Sequence, residues 1–191
     1  MKACQARPRR TWLCCAVVAT MTLSWSARSH AQSATAAALT SAFLYNFAKF
    51  TEWPADSLTP EQRLTLCVIG DNAVADALGL TIKGHAIEGH ELTVEVLKAD
   101  ASARSCHLLY ASGLDEKRSL QVIENLKAAP VLTASDADKF AELGGVAQLI
   151  LEGGRMRFVI NVSAAQRARL QLSSKLLSLA RIVKDEQHVQ H

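Results

Sequence analysis

The stretch Ser41-Ala-Phe-Leu-Tyr-Asn-Phe-Ala-Lys-Phe-Thr-Glu-Trp-Pro54 governs how the rest of the chain is read. It holds five of the ten Phe, Tyr and Trp residues, namely Phe43, Tyr45, Phe47, Phe50 and Trp53. Leu39, Phe43, Phe47 and Phe50 recur at helical spacing, and Leu44 and Ala48 widen the stripe. A stripe of that period marks an amphipathic helix whose apolar face must be covered. Pro54 stops the helix, because the residue before a proline is pushed out of the α region. Two readings stand side by side. The stretch is either a core helix packing the first layer of the fold, or a helix whose aromatic end, Phe50 to Trp53, is displayed for recognition.

Upstream, residues 1–31 read as a signal peptide rather than as part of the fold. Lys2, Arg7, Arg9 and Arg10 form a positive head, and Trp12 to Trp25 an apolar run of signal-peptide length. Ser29-His-Ala31 offers small residues at the positions a signal peptidase reads, which places cleavage after Ala31. The run is short for a membrane span of about 20 residues. Arg9-Arg10-Thr-Trp-Leu loosely resembles a twin-arginine signal, a minority alternative to the general export route. Cys14 and Cys15 sit early in the apolar run, which argues against a lipoprotein anchor. The expectation is an exported, soluble, periplasmic protein whose single domain covers residues 32–191.

Removing that leader changes the charge. The chain has 21 Lys plus Arg and 18 Asp plus Glu. Five of the basic residues (Lys2, Arg7, Arg9, Arg10, Arg28) and no acidic ones lie in the leader, leaving 16 against 18, or −2. Such a balance gives no footing for nucleic acid or an anionic membrane surface. Three of the five cysteines leave as well, and Cys67 and Cys106 remain. In an oxidising compartment these two are expected to pair, the alternative being two free buried thiols. Closing a loop of that size stabilises by roughly 4 kcal/mol in the chain-entropy model. Without a CxxC, and with His85, His90 and His107 at no ligand spacing, a zinc site is a poor reading.

Along the mature chain, Leu64 to Ile69 reads as a strand buried on both faces, ending in Gly70-Asp-Asn72. A short helix, Ala73 to Leu80, follows with Asn72 as its cap. Lys83 to His90 is a glycine-punctuated turn, and Leu92, Val94 and Val96 alternate as in a half-exposed strand. Ala101 to Ser105 suits one helical turn, and Cys106 to Ala111 a further buried strand. A helix over Leu114 to Ala129 ends at Pro130, and a brief strand covers Val131 to Ala134. Ser135 or Asp136 then caps a helix running through Phe140 and Leu143 to Gly144-Gly145. Val146 to Leu151 and Met156 to Val162 form an antiparallel hairpin about Gly153-Gly154. Helices are expected over Ser163 to Arg169 and Ser173 to Ile182. The alternation predicts an α/β layered fold, a mostly parallel sheet flanked by helices, with a late antiparallel hairpin.

No catalytic residue emerges from this pattern. Gly70-Asp71-Asn72 follows a strand where open α/β sheets often hold ligands, yet no phosphate-cradling glycine motif accompanies it. Asp71 reads first as a turn and cap residue. Ser112 lacks the flanking glycine of a nucleophile elbow, His107 reads as a core histidine, and Glu52 and Asp56 have no evident counterpart. Arg155, Arg157 and Val159 share one face of their strand, with Phe158 and Ile160 on the other. This is either an arginine-anchored interface or a solvated hairpin edge guarded by charge.

Three blocks carry a family resemblance. The first is Phe43 to Pro54. The second is Leu66-Cys-Val-Ile-Gly-Asp71, answered by Cys106-His-Leu-Leu-Tyr-Ala-Ser112. The third runs from Val131-Leu-Thr-Ala-Ser-Asp136, through Gly144-Gly145 and Arg157-Phe-Val-Ile-Asn161, to Leu172-Ser-Ser-Lys-Leu-Leu-Ser-Leu-Ala-Arg-Ile-Val183. Together, and in this order, they resemble the YfiR family of periplasmic proteins, the DUF4154 domain. The resemblance implies an α/β periplasmic fold with no catalysis, cofactor or metal. It also implies repression of an inner-membrane diguanylate cyclase of the YfiN type through the cyclase's periplasmic sensory domain. Release of that partner raises cyclic di-GMP and favours biofilm growth. Cys67 and Cys106 match family cysteines expected to pair. A further pair found in some relatives has no counterpart here, which removes redox sensing through a second bridge. Motif position and chemistry together select Phe50, Glu52, Trp53, Arg157, Asn161, Ser173, Ser174 and Lys175 as partner-binding residues, and leave room for a homodimer. The competing class is a small-ligand sensing module acting on another membrane sensor, built on Gly70-Asp71-Asn72.

Overall fold

The computed structural model describes residues 24–184. The chain forms two compact units divided between Ala36 and Ala37. Up to residue 23 the expected leader lies outside the described residues, and from Ser24 the first unit is helical. No helix among the described residues is long and apolar enough to cross a membrane.

Helix α1 (Ser24–Lys49) enters the second unit at Ala37. There Ala37, Thr40, Ser41, Leu44, Phe47 and Ala48 are buried, a 3.6-residue stripe rotated from the one expected on Leu39, Phe43, Phe47 and Phe50. Leu39 is exposed, and Phe43 and Phe50 are half-buried. The stripe centres on Phe47, whose ring meets Phe158 edge-on at 5.2 Å, with Phe43 5.8 Å from the same ring. Thr40 and Ser41 are polar, so the sequence hid them. Ser41 Oγ donates to the Ala38 carbonyl at 2.8 Å and lies 3.0 Å from Thr81 Oγ1. Such partners are what make a buried hydroxyl tolerable. The helix ends at Lys49, before Pro54 is reached. Thr51 Oγ1 bonds back to the Phe47 carbonyl at 2.7 Å, and the chain leaves as strand β1 (Thr51–Glu52).

The next elements follow the expected α/β alternation. β2 (Leu64–Ile69) leads to α2 (Asn72–Ile82). The cap of α2 is Asp71, not Asn72: its carboxylate accepts from the Val74 N–H at 3.0 Å. β3 (Ala86–Ile87) and β4 (His90–Val96) form a tight hairpin where only a turn and one strand were expected. The single helical turn expected over Ala101 to Ser105 is irregular loop and turn. β5 (Leu108–Ala111) precedes α3 (Glu116–Asn125), which is capped by Asp115.

After β6 (Leu132–Ser135) the expected helix to Leu143 is absent, and residues 136–146 form successive turns. Its candidate caps are engaged elsewhere. Ser135 Oγ donates to the Ala111 carbonyl and accepts from Ala137 N–H, while Asp136 accepts from Ser112 and Gly113. At Gly145 the backbone passes directly against the Phe140 ring, leaving no room for a Cβ.

β7 (Ala147–Glu152) and β8 (Arg155–Asn161) form the expected antiparallel hairpin. Gly153 and Gly154, at φ 55° and 74°, supply the two positive-φ positions that a two-residue turn matching strand twist requires. α4 (Val162–Arg167) is capped by Asn161, which is fully buried. Its side chain accepts from Ala164 N–H at 2.9 Å and donates to the Ala141 carbonyl at 2.7 Å.

Beyond β9 (Gln171–Leu172), the helix expected over Ser173 to Ile182 is a single turn, α5 (Ser174–Leu177), followed by strand β10 (Arg181–Val183). β10 lies parallel to β8. The β-branched pair Ile182-Val183 favours extended backbone, and pairing covers an edge that β8 would otherwise present. β10 reaches only Val159 to Asn161, so Arg157 stays on the uncovered part of that edge.

The eight-stranded sheet has the order β10-β8-β7-β6-β5-β2-β4-β3, parallel except at β7–β8 and β3–β4. β1 and β9 form a separate antiparallel pair. Because successive side chains on a strand alternate, the sheet has two apolar layers. Leu66, Val68, Leu108 and Tyr110 pack with α1 and α2, while Cys67, Ile69, Leu109 and Ala111 pack with Val122 of α3 and with Leu126 at its C-terminal cap. Cys67 and Cys106 are joined by a disulfide in the second layer, with their Cα atoms 5.9 Å apart.

Two expectations follow. Reduction of Cys67–Cys106, or the double change to Ser, lowers unfolding free energy by about 4 kcal/mol in the chain-entropy account, measured by urea titration. Asn161→Ala removes a helix cap and the shorter of two hydrogen bonds to the Ala141 carbonyl, which keeps only the Gly144 N–H, and it opens a cavity in the interior. Its melting temperature should fall by the several degrees that roughly 2–4 kcal/mol represents.

Candidate functional site

The residues expected to meet a partner fall in three places. Phe50, Glu52, Trp53, Ser173, Ser174 and Lys175 come together around the β1–β9 pair. Thr51 is registered with Leu172 and Glu52 with Gln171, and the Ser173 N–H donates to the Phe50 carbonyl at 2.9 Å. Ser173 caps α5, its hydroxyl accepting from Lys175 N–H at 3.2 Å. Leu176 anchors that turn in the core. Glu52, Gln171, Ser174 and Lys175 are exposed, with Phe50, Trp53, Leu172 and Ser173 half-buried among them. Gln171 escaped sequence reasoning because nothing local marks residues 171–172 as a strand.

Arg157 belongs to a second cluster. It faces Glu152 at 3.5 Å, and Arg181 of β10 reaches the same carboxylate at 3.5 Å. All three side chains are more than half exposed, so the ion pairs contribute little to stability. Asn161 is in a third place, inside the protein. With no exposed surface and both ends of its amide engaged, it positions α4 and does not reach a partner.

Trp53 resolves the question left open by the aromatic stretch. It is half-buried, its indole N–H donates to the His107 carbonyl at 3.0 Å, and its ring stands edge-on to the His107 imidazole. Part of its surface is core and part is open. The connector after it is held at two further points. His107 Nε2 lies 3.1 Å from the Ser57 carbonyl, and Asp56 accepts from Arg169 at 2.8 Å. That bond from the guanidinium, with its charge, holds the Asp56 carboxyl below its usual range. Arg169 is the counterpart that Asp56 lacked in the sequence, far along the chain. The β1–β9 surface is thus tied to α1 on one side, to α5 beneath, and to the sheet through the connector.

The other candidate region is the crevice where the order of the parallel strands reverses. β2 is flanked by β4 and β5, so the C-terminal ends of β2 and β5 bracket the position where doubly wound folds bind ligands. Gly70, Asp71, Ser112, Gly113 and Asp136 gather there, but their groups close it. Gly70, at φ 84°, packs so tightly that a Cβ would lie 2.6 Å from the Ser112 carbonyl oxygen. Asp71 caps α2, and Asp136 accepts from Ser112 Oγ at 2.8 Å and Gly113 N–H at 3.2 Å. Beneath them, burial and then the Asp136 carboxylate push the Tyr110 phenol well above its ordinary range, so it stays protonated. The polar groups at this crevice are thus engaged with one another in closing the loops.

Comparison with known proteins places this geometry. The family model described as YfiR/HmsC-like (DUF4154) matches residues 37–181, more than half of the chain. Two solved structures are distant likenesses. One is the ABC domain in complex with L-Trp from Streptococcus pneumonia, at 15% identity and TM-score 0.45, covering 68% of this chain and 58% of that one. The other is a conserved domain protein from Vibrio cholerae O1 biovar El Tor, at 17% identity and TM-score 0.44, covering 68% and 57%. This chain thus spans under three fifths of the length of each, and at such scores neither bears on its ligand or partner. The family match spans all of the elements that build the β1–β9 surface: the chain belongs to the YfiR/HmsC-like family.

Proposed function

We propose that the protein is exported, that its leader is removed after Ala31, and that the mature domain represses an inner-membrane diguanylate cyclase of the YfiN type. It does so by binding the cyclase's periplasmic domain, which limits cyclic di-GMP and biofilm formation. Family membership supports the signalling context. The observation that carries the binding reading is the β1–β9 surface. Exposed Glu52, Gln171, Ser174 and Lys175 surround the half-buried Phe50 and Trp53 on backbone that is hydrogen-bonded to two separate parts of the core. A preorganised surface of this kind binds without a large ordering cost, and an aromatic anchor ringed by polar groups is the usual make-up of a binding hot spot. Arg157 is a second contact only if the partner also reaches the Glu152–Arg181 cluster.

Deleting the gene in its native host should raise cyclic di-GMP, and re-supplying it should restore the low level. Lys175→Glu and Glu52→Lys, both at exposed positions, should keep the melting temperature within about 1 °C and weaken partner binding about tenfold. Trp53→Ala should lose both stability and binding, since its indole serves both. If Lys175→Glu and Glu52→Lys repress as well as the natural sequence, the β1–β9 surface is not the contact.

A further inference from the structure

His107 lies between disulfide-bonded Cys106 and β5, and it is almost fully buried. Its backbone belongs to the sheet: the N–H donates to the Thr65 carbonyl at 2.9 Å, and the carbonyl accepts from Leu132 N–H at 2.9 Å as well as from Trp53. Its ring bridges two elements. Nδ1 accepts from the Thr65 backbone N–H at 3.0 Å, so the proton of the neutral imidazole resides on Nε2. From there it is donated to the Ser57 carbonyl at 3.1 Å. Each nitrogen has one use, and the uses require the uncharged ring.

We propose that His107 is a proton-operated catch: its neutral imidazole holds the Trp53–Ser57 connector against the sheet, and a second ring proton frees that connector and slackens the Glu52–Lys175 surface beside it. The reason is donor geometry. An imidazolium carries N–H on both nitrogens, so Nδ1–H would point at the Thr65 N–H, donor against donor. Turning the ring over does not help, because the other nitrogen is then also a donor. The charged ring must leave its place, and with it go the Ser57 bond and the edge-on contact that seats the Trp53 ring, leaving the indole held only through the His107 backbone carbonyl.

The surroundings set where this happens. Burial opposes the charge most, the Ser57 carbonyl favours it, and His90 on β4 opposes it when charged. His90 itself bonds the Gln62 carbonyl at 2.9 Å. Asp56 in the connector is engaged with Arg169, and Arg63, just before β2, with Glu91 of β4. The affinity of His107 for a proton is therefore lowered from its usual 6.5. A histidine lowered on folding gives stability that is whole above its ordinary value and is lost as pH falls towards the folded one. The catch is closed at neutral pH and opens in acid, a condition the periplasm meets when the surroundings acidify.

The effect on partner binding rests on the function proposed above, whereas the catch itself does not. NMR of the exported protein from pH 8 to 4.5 tests it. The His107 ring should titrate below 6.5, with the Trp53 indole N–H and Thr65 amide resonances moving at the same midpoint. Hydrogen exchange over residues 53–57 should quicken tenfold or more across that step. His107→Gln, which keeps an amide but cannot titrate, should abolish it, and the wild-type titration decides the matter even if that variant folds poorly. An indole resonance that stays still while His107 titrates, or a ring that remains neutral to pH 4.5, overturns the proposal. Cyclase-domain binding should fall about tenfold from pH 7.5 to 5.5 in the wild type and not in His107→Gln. Lys175→Glu binding normally at pH 7.5 would sink the surface and spare the catch, and a still indole would do the reverse.

Discussion

The contact between Phe47 and Phe158 is the constraint on which the rest depends. One ring comes from the first helix of the domain and the other from the late hairpin, both are buried, and they meet edge-on. Aromatic pairs of this geometry add to the area that they bury. Fixing α1 against β8 decides where the chain emerges after Lys49, and so lets Thr51-Glu52 lie beside Gln171-Leu172. The candidate surface has no sheet of its own to lean on. Two residues per strand would not persist alone, and they hold because both flanking chains are already positioned.

Much of the fold could be read from patterns of short range. The buried strand at Leu64–Ile69 announced itself as a continuous apolar run, and Gly153-Gly154 set the hairpin to within a residue. The failures share a cause. Residues 136–143 carry helix formers and a plausible cap, but Ser135 and Asp136 are drawn into bonds with Ala111, Ser112 and Gly113 from another strand. Residues 178–183 continue a helical pattern that ends because the edge of β8 needs a neighbour. In each, a tertiary partner outweighs local propensity, and local propensity is all that a window of sequence carries.

The site was legible in a similar way. Six of the eight residues chosen as partner-binding converge on one surface, since motif blocks separated along the chain proved to be neighbours. Asn161 misled because a polar residue at the end of a strand looks the same whether it faces water or caps a helix from within. The connector between Trp53 and Leu64 looked like plain linker. Three of its attachments, to the His107 carbonyl, the His107 ring and Arg169, involve residues 50 or more positions away.

The position of β10 has a consequence for how the molecule comes into being. The chain is delivered from its N-terminus during synthesis, at about 5–20 residues per second. α1 appears early, yet the ring that covers Phe47 is in β8, and the strand that seals β8 is among the last described residues. Contacts so distant in sequence slow folding, because loop entropy must be met before they form. A nascent chain of this protein thus keeps Phe47 uncovered until β8 has been made, and leaves β8 without its outer neighbour until β10 follows.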